Sequence, residues 1–362
     1  MQVAMVGSSC HWICGQYPTD SGRPARRKEP KHMNPSPASP RPDEMERFSP
    51  RLLPVEELRD LSRLSSARSL GHILLDWMLI LAAAWAAWQI HHSAAYVLAI
   101  AFIGGRQHGL LIMMHEAAHH RLFENRRLND WVGELITWPF PFIRMRQYRR
   151  HHIPHHRHLN TMTDPDWVRK QNADWEFPRS WFGMLSLVVQ DLVGIGAIKY
   201  FAGRKKVETL ALPQPLNNDP DERLMVVGRT LFFLLALAAV TATNLWLPVF
   251  LFWLIPLFTW LQLANRLRGI AEHFAIEGRE EVYAETRTTI PSLFDRIFRA
   301  PKNFGYHFEH HLYPSVPFFR LRELHRRLMA IPEFRARIHL TQGYWGVVRE
   351  CVAASRTGGL AT

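Results

Sequence analysis

The sequence predicts an all-α integral-membrane fold: four transmembrane helices in two hairpins, with a cytoplasmic helical cap carrying a two-metal site. Three observations carry this. Four apolar segments of roughly 20 residues, enough to cross a hydrocarbon core of about 30 Å, come in two pairs. The short links within each pair hold no Lys or Arg, while the other polar stretches are rich in both. Three histidine clusters all fall in those basic stretches, and so on one side of the membrane.

The chain has 362 residues and a net charge of +12, with 44 Lys and Arg. Those cations flank apolar segments and form no stripe beside stacking aromatics, which argues against nucleic acid and for an anionic membrane surface. Three cysteines, Cys10, Cys14 and Cys351, give no disulfide framework. Cys10 and Cys14, near His11, read as unpaired tail residues in a reducing compartment.

Residues 1–44 are expected to be a disordered tail, crowded with Pro, Ser, Lys and Arg. No apolar run follows its charges as a secretory signal requires, and Met33 and Met45 are alternative starts. The membrane domain is expected over 45–335, with a cytoplasmic C-terminal tail over 336–362. The first and second spans are placed at about 70–90 and 94–114. Arg106, Gln107 and His108 interrupt the second and are expected to face protein or a cavity, not lipid. Val132 to Ile143 is too short to span and contains Pro139 and Pro141. Trp181 to Tyr200 is long enough, but Gln190, Asp191 and three glycines weaken it. Both read as interfacial or re-entrant pieces. The third and fourth spans are placed at about 224–243 and 245–263, with Trp246 and Pro248 at their junction.

By the positive-inside rule the links at 89–93 and 244–245 face outward. The N-terminal tail, the region from His115 to Arg223 and the chain after Asn265 then face the cytoplasm. No step of that argument used the histidines, yet it gathers every cluster on one face.

The clusters read His115-Glu-Ala-Ala-His119-His120, His152-Ile-Pro-His155-His156 and His307-Phe-Glu-His310-His311. Spacings of three and four place side chains on one helical face. Eight neutral imidazoles are too many for one metal ion and suit two. Pro154 complicates the second cluster, because proline belongs in the first turn of a helix. His152 is therefore expected to precede the helix carrying His155 and His156. His120, His151 and His158 read as surface or supporting residues. His108 either lines a tunnel or bonds a backbone group. His91, His92, His325 and His339 read as interfacial or solvated. Aromatic runs such as Phe250-Leu-Phe-Trp253 read as lipid-facing or packing residues and not as a cofactor box.

These clusters, in this order around an apolar hairpin, resemble the membrane fatty acid desaturase family. The flanking words match too: Thr163-Asp164-Pro165-Asp166 after the second cluster, and Asn303-Phe-Gly-Tyr-His307 leading to Leu-Tyr-Pro314 around the third. The resemblance spans about Leu70 to Met329 and is strongest to bacterial stand-alone, rhizobitoxine-desaturase-like sequences. No His-Pro-Gly-Gly haem segment is present, and the third box opens with His307 instead of Gln.

The resemblance implies a di-iron site with O2 as oxidant. It assigns the metal to His115, His119, His152, His155, His156, His307, His310 and His311, and offers His273 as a ninth ligand. The family's asparagine four residues before that ninth histidine is Gly269 here, leaving Asn303 as a substitute. Glu116, Glu309, Asp164 and Asp166 are expected to orient the imidazoles. The expected reaction is desaturation of a lipid acyl chain at the cytoplasmic face of the inner membrane. Electrons would come from an external ferredoxin or cytochrome b5 type donor with its reductase. The cations Arg144, Arg146, Arg149 and Arg150 read as a dock for an acidic carrier or, equally, as lipid headgroup contacts. A lipid or carotenoid hydroxylase or ketolase of the same fold is the alternative, because box spacing does not separate the two outcomes. A metal transporter would place its ligands near the bilayer midplane, and these lie outside the spans.

Overall fold

The computed structural model describes residues 52–208, 220–276 and 286–357. The tail over 1–44, with Cys10 and Cys14, lies outside the described residues. Four helices are long and apolar enough to cross a membrane. With a short leading helix α1 (Val55–Leu61), they are α2 (Ser66–Ile90), α3 (Ser93–Ala118), α9 (Pro220–Ala242) and α10 (Trp246–His273). Most run further than expected at the end bearing charge. The fourth continues ten residues past 263, because Arg266, Arg268 and Glu272 are good helix formers that hydropathy does not count.

The link between α2 and α3 is two residues long and explains two histidines. His91 ends α2 in the left-handed region at φ 51°, and the His92 ring accepts from the Ala94 amide at 3.2 Å to cap α3. The third helix is the central one, buried without break from Ile103 to Ala118. Glycines let its neighbours close in. A Cβ at Gly104 would lie 2.7 Å from Trp260 Cβ, and one at Gly105 would lie 2.6 Å from the Phe298 carbonyl.

The polar interruption of α3 faces protein, as expected. A six-residue helix, α11 (Leu293–Phe298), packs against its middle, started by a reciprocal Ser292–Asp295 cap. Its terminal carbonyls have no intrahelical amides and are taken by side chains of the spanning helices. Arg106 donates to Arg296 and Ile297 at 3.0 and 2.7 Å, and Trp260 Nε1 to Phe298 at 2.7 Å. His108 Nδ1 bonds the Arg299 carbonyl at 2.5 Å. Of the two readings of His108, the backbone bond is the one observed. Arg106 also faces buried Asp76 of α2 at 3.4 Å, and Lys302 reaches the same carboxylate at 2.9 Å. Gln107 donates to the Trp253 carbonyl at 3.0 Å.

Between α3 and α9 lie α4 (Arg126–Thr137), α5 (Met145–Arg157), α6 (Pro165–Arg169), α7 (Trp181–Leu192) and α8 (Ile195–Glu208). The 132–143 stretch is the end of α4 and a turned segment. Arg229 of α9 pins that segment by its Phe140 and Ile143 carbonyls, and Trp253 by Pro139. The 181–200 stretch breaks at Gly194 (φ 84°), so neither α7 nor α8 has a spanning length. Asp191 of α7 instead holds Arg266 of α10 at 2.6 Å.

After α10 come β1 (Thr288–Ile290), α11, α12 (His307–Leu312), α13 (Leu321–Met329), α14 (Pro332–Arg337), β2 (Leu340–Gln342) and α15 (Gly343–Thr357). The two strands pair in parallel with Thr289 opposite Thr341. They are the departure from an all-helical fold among the described residues. The stretch from 336, expected as a tail, is folded as far as Thr357. Its apolar residues Ile338, Tyr344, Val347 and Cys351 are buried, which a tail-like composition of charges had masked.

Candidate metal centre

Four short pieces of backbone bring nine histidines together. His115 sits in the last turn of α3 and His119 at its C-terminal cap. Helix α5 carries His152, His155 and His156, α10 ends at His273, and α12 carries His307, His310 and His311. Their nitrogens form two groups. One holds His115, His119, His152, His156 and His310; the other holds His155, His273, His307 and His311. Within each, the ligand atoms lie within 4.8 Å of one another.

The single-face expectation fails at the third cluster; at the second, where Pro154 already spoke against it, the ligands also divide, in the opposite sense. His152 and His156 serve the five-histidine group and His155 the other; His307 and His311 serve the four-histidine group and His310 the other. A step of four residues turns the side chain by about 40° and a step of three by about 60° the other way, so the two end about 100° apart. That divergence is enough when a second group sits alongside. The expectation for Pro154 is also corrected. It lies inside α5, whose last turns accept it, so His152 is helical. Proline gives no amide bond to the carbonyl four residues before it, here that of Arg150, and α5 ends three residues later at Arg157.

The nitrogens are spaced as ligands are. Nε2–Nε2 separations are 2.8 Å for His119–His152, 3.0 Å for His152–His156, 3.1 Å for His273–His307 and 2.9 Å for His307–His311. Adjacent ligands at about 2.1 Å from one ion would be about 3 Å apart. Both ring nitrogens of buried His310, and His115 Nε2, have no hydrogen-bond partner, a costly state for buried polar atoms unless something else takes their lone pairs. Burial, and then the neighbouring imidazoles, push His152, His156, His307, His310 and His311 well below the ordinary histidine range. Burial and the nearby Arg121 bring His119 to about 3. Neutral imidazole is the ligand form. The residues present therefore fit two metal ions.

The supporting carboxylates divide. Asp164, fully buried, bonds His155 Nδ1 at 2.8 Å, as expected. Glu116 Oε1 lies 3.4 Å from His115 Nδ1, while Oε2 accepts the Phe318 amide at 2.9 Å. Three expectations are corrected. Asp166 is occupied by Arg169 and Lys170. Glu309 points to the opposite side of its helix, accepting from Thr288 at 2.7 Å and bonding His325 at 2.5 Å. Asn303 sits at φ 58° with its amide on the Phe318 carbonyl, in neither histidine group. His325, expected to be solvated, is accordingly Glu309's partner.

Sequence reasoning missed several residues at the site. Glu272 lies 3.3 Å from His307 Nδ1 and pairs with Arg268 at 2.5 Å. The Arg268 guanidinium covers the Phe304 ring at 3.9 Å. That ring stands edge-on to His115 at 4.7 Å and within 6 Å of His307 and His310, so it touches both groups. Tyr148 Oη lies 3.2 Å from His152 Nδ1. Two signals were available: Glu272 directly precedes His273, and Tyr148 stands one helical turn before His152. Gly269 is the notch that receives Trp175, whose ring would meet a Cβ at 2.9 Å.

A family model for fatty acid desaturases matches residues 91–342, most of the chain. The chain belongs to the fatty acid desaturase family. This desaturase-family protein is 28% identical over 248 residues to dihydrorhizobitoxine desaturase of Bradyrhizobium elkanii, across 66% of this chain and 69% of that protein. It is 28% identical over 282 residues to a β-carotene ketolase of a Paracoccus species, across 76% of this chain and 96% of that one. It is 24% identical over 230 residues to the human sphingolipid Δ4-desaturase, across 60% and 61%. It is an oxidoreductase of desaturase-like type, and its four long apolar helices fit a membrane protein acting on a lipid.

Proposed function

We propose that the protein is a di-iron, O2-dependent desaturase of a lipid acyl chain, working at the cytoplasmic face of the inner membrane. The observation that carries this reading is the pair of adjacent, buried, all-imidazole groups at the ends of two apolar helices. His115, His119, His152, His156 and His310 would hold one iron, and His155, His273, His307 and His311 the other. Bound iron supplies the activation of O2 that an unactivated methylene demands.

The chain's own residues do the rest. Asp164 fixes the tautomer and angle of His155, Glu272 stands behind His307, and Tyr148 orients His152. Phe304 and the buried α3 helix keep water from the space beside both groups. Overall, two hydrogens leave adjacent carbons and O2 is reduced to two waters, the balance made up by two electrons from an external ferredoxin or cytochrome b5 type donor and two protons from solvent. Helices α2 with α3, and α9 with α10, form the two hairpins. The cation-free links between them face outward, which puts the helical cap and the site on the cytoplasmic side. Helices α7 and α8 lie at the interface, consistent with the exposed Trp181, Phe182, Leu185 and Val189.

The test is mass spectrometry of total lipids from cells expressing the chain, with His310→Ala as control. A species lighter by two hydrogens, absent in the variant, supports the desaturase. The Paracoccus ketolase, matched over nearly its full length, favours oxygen insertion as the second reading. A species heavier by one oxygen would move the assignment there. A purified protein without iron would overturn both.

A further inference from the structure

His273 ends α10, and the backbone must turn off at once to leave its ring among His155, His307 and His311. That turn is strained. Ala275 adopts φ 53°, where the side chain of an L-residue crowds its own carbonyl. One side chain grips the turn. Arg287 donates through Nη2 to the carbonyls of both Phe274 and Ala275, the latter at 2.8 Å, and its own amide donates to the Glu272 carbonyl at 3.3 Å. Arg287 is completely buried. A buried guanidinium needs a counter-charge, and Glu350 of α15 supplies it at 2.5 Å. The Glu350 carboxylate is itself fixed by His339 at 3.0 Å and by Thr341 of β2 at 2.8 Å.

We propose that Arg287, held by Glu350, is a positioning residue for His273, so that the segment from His339 to Glu350 latches the end of the ligand-bearing helix. This rests on the two-iron reading above. The five-histidine group takes none of its members from this region, so the latch governs one site of the two. A purely structural role would disturb both sites together.

The test uses the full chain, purified with iron enriched in the Mössbauer isotope. His119→Ala identifies the component belonging to the five-histidine group. Arg287→Met and Glu350→Gln are expected to leave that component in place. The other component should shift, and its iron should be lost to a chelator about tenfold faster, in the range that supporting residues of metal ligands command. Arg287→Lys, which keeps the charge without the fork, should be intermediate. Glu350→Gln is the milder variant and decides the matter if Arg287→Met does not fold. Unchanged components in both variants, or equal loss of both components, would overturn the latch. A wild-type chain with no iron would instead overturn the metal reading beneath it.

Discussion

Asp164 and Asp166 stand two residues apart after the second histidine cluster and read alike in the sequence. Only one reaches an imidazole. Asp164→Asn should therefore weaken iron retention about 10- to 100-fold, while Asp166→Asn should leave it unchanged; chelator competition on the purified protein separates them. Glu272→Gln should behave like the Asp164 variant and not like the Asp166 one. The eight box histidines were legible from spacing and resemblance together, and His273 from resemblance alone. Their division into five and four was not, since it depends on how α5 and α12 face each other across the chain. Glu309's outward aim followed from helical spacing, since a residue two after His307 and one before His310 lies about 100° or more from both.

At the scale of elements, the most informative stretch is Arg106-Gln107-His108. Sequence showed that something must solvate it; the structure shows that it solvates the end of α11. Six-residue helices are unstable alone, and this one is held by donors from two spanning helices and by the close approach at Gly105. Arg106→Leu removes two carbonyl bonds and leaves Asp76 with Lys302 alone. Hydrogen bonds from a charged donor are each worth about 1.5–3 kcal/mol, so the thermal midpoint in detergent should fall clearly, and Asp76→Asn in the same chain should lower it further, because it strips buried Lys302 of its counter-charge. Gly105→Ala should also destabilise, because the Phe298 carbonyl is backbone and cannot swing aside. A mutant as stable as the parent would contradict this account of α11. What hid the element from sequence reading was its length: too few residues for a period, bounded by ordinary loop residues.

For the whole molecule, the four apolar helices were legible to within a turn or so except at the charged end of the fourth, where hydropathy stops and the helix does not. The small parallel sheet and α15 were not legible, since strand pairing between 288–290 and 340–342 is non-local and each strand is three residues long. The orientation is testable as a unit. In a chain freed of its three native cysteines, a cysteine at His92 should react with an impermeant thiol reagent from outside intact cells. One at Asn172 should react only after the cells are opened. The reverse pattern would invert the assignment of faces.

The fourth spanning helix has one more consequence. Phe250–Leu254 winds as a π-helical turn within it. Such a turn stores a surplus residue, and each residue of an α-helix advances the side chains by about 100°. The apolar periodicity before the turn, from Trp246, is therefore one residue out of step with that of the portion ending at His273. Deleting one residue within 250–254 would let the helix run regularly and leave both portions facing as they do, because a π turn spreads over five residues about the rotation that four make in an α-helix. The turn thus lets this helix gain or lose a residue in evolution without moving the histidine.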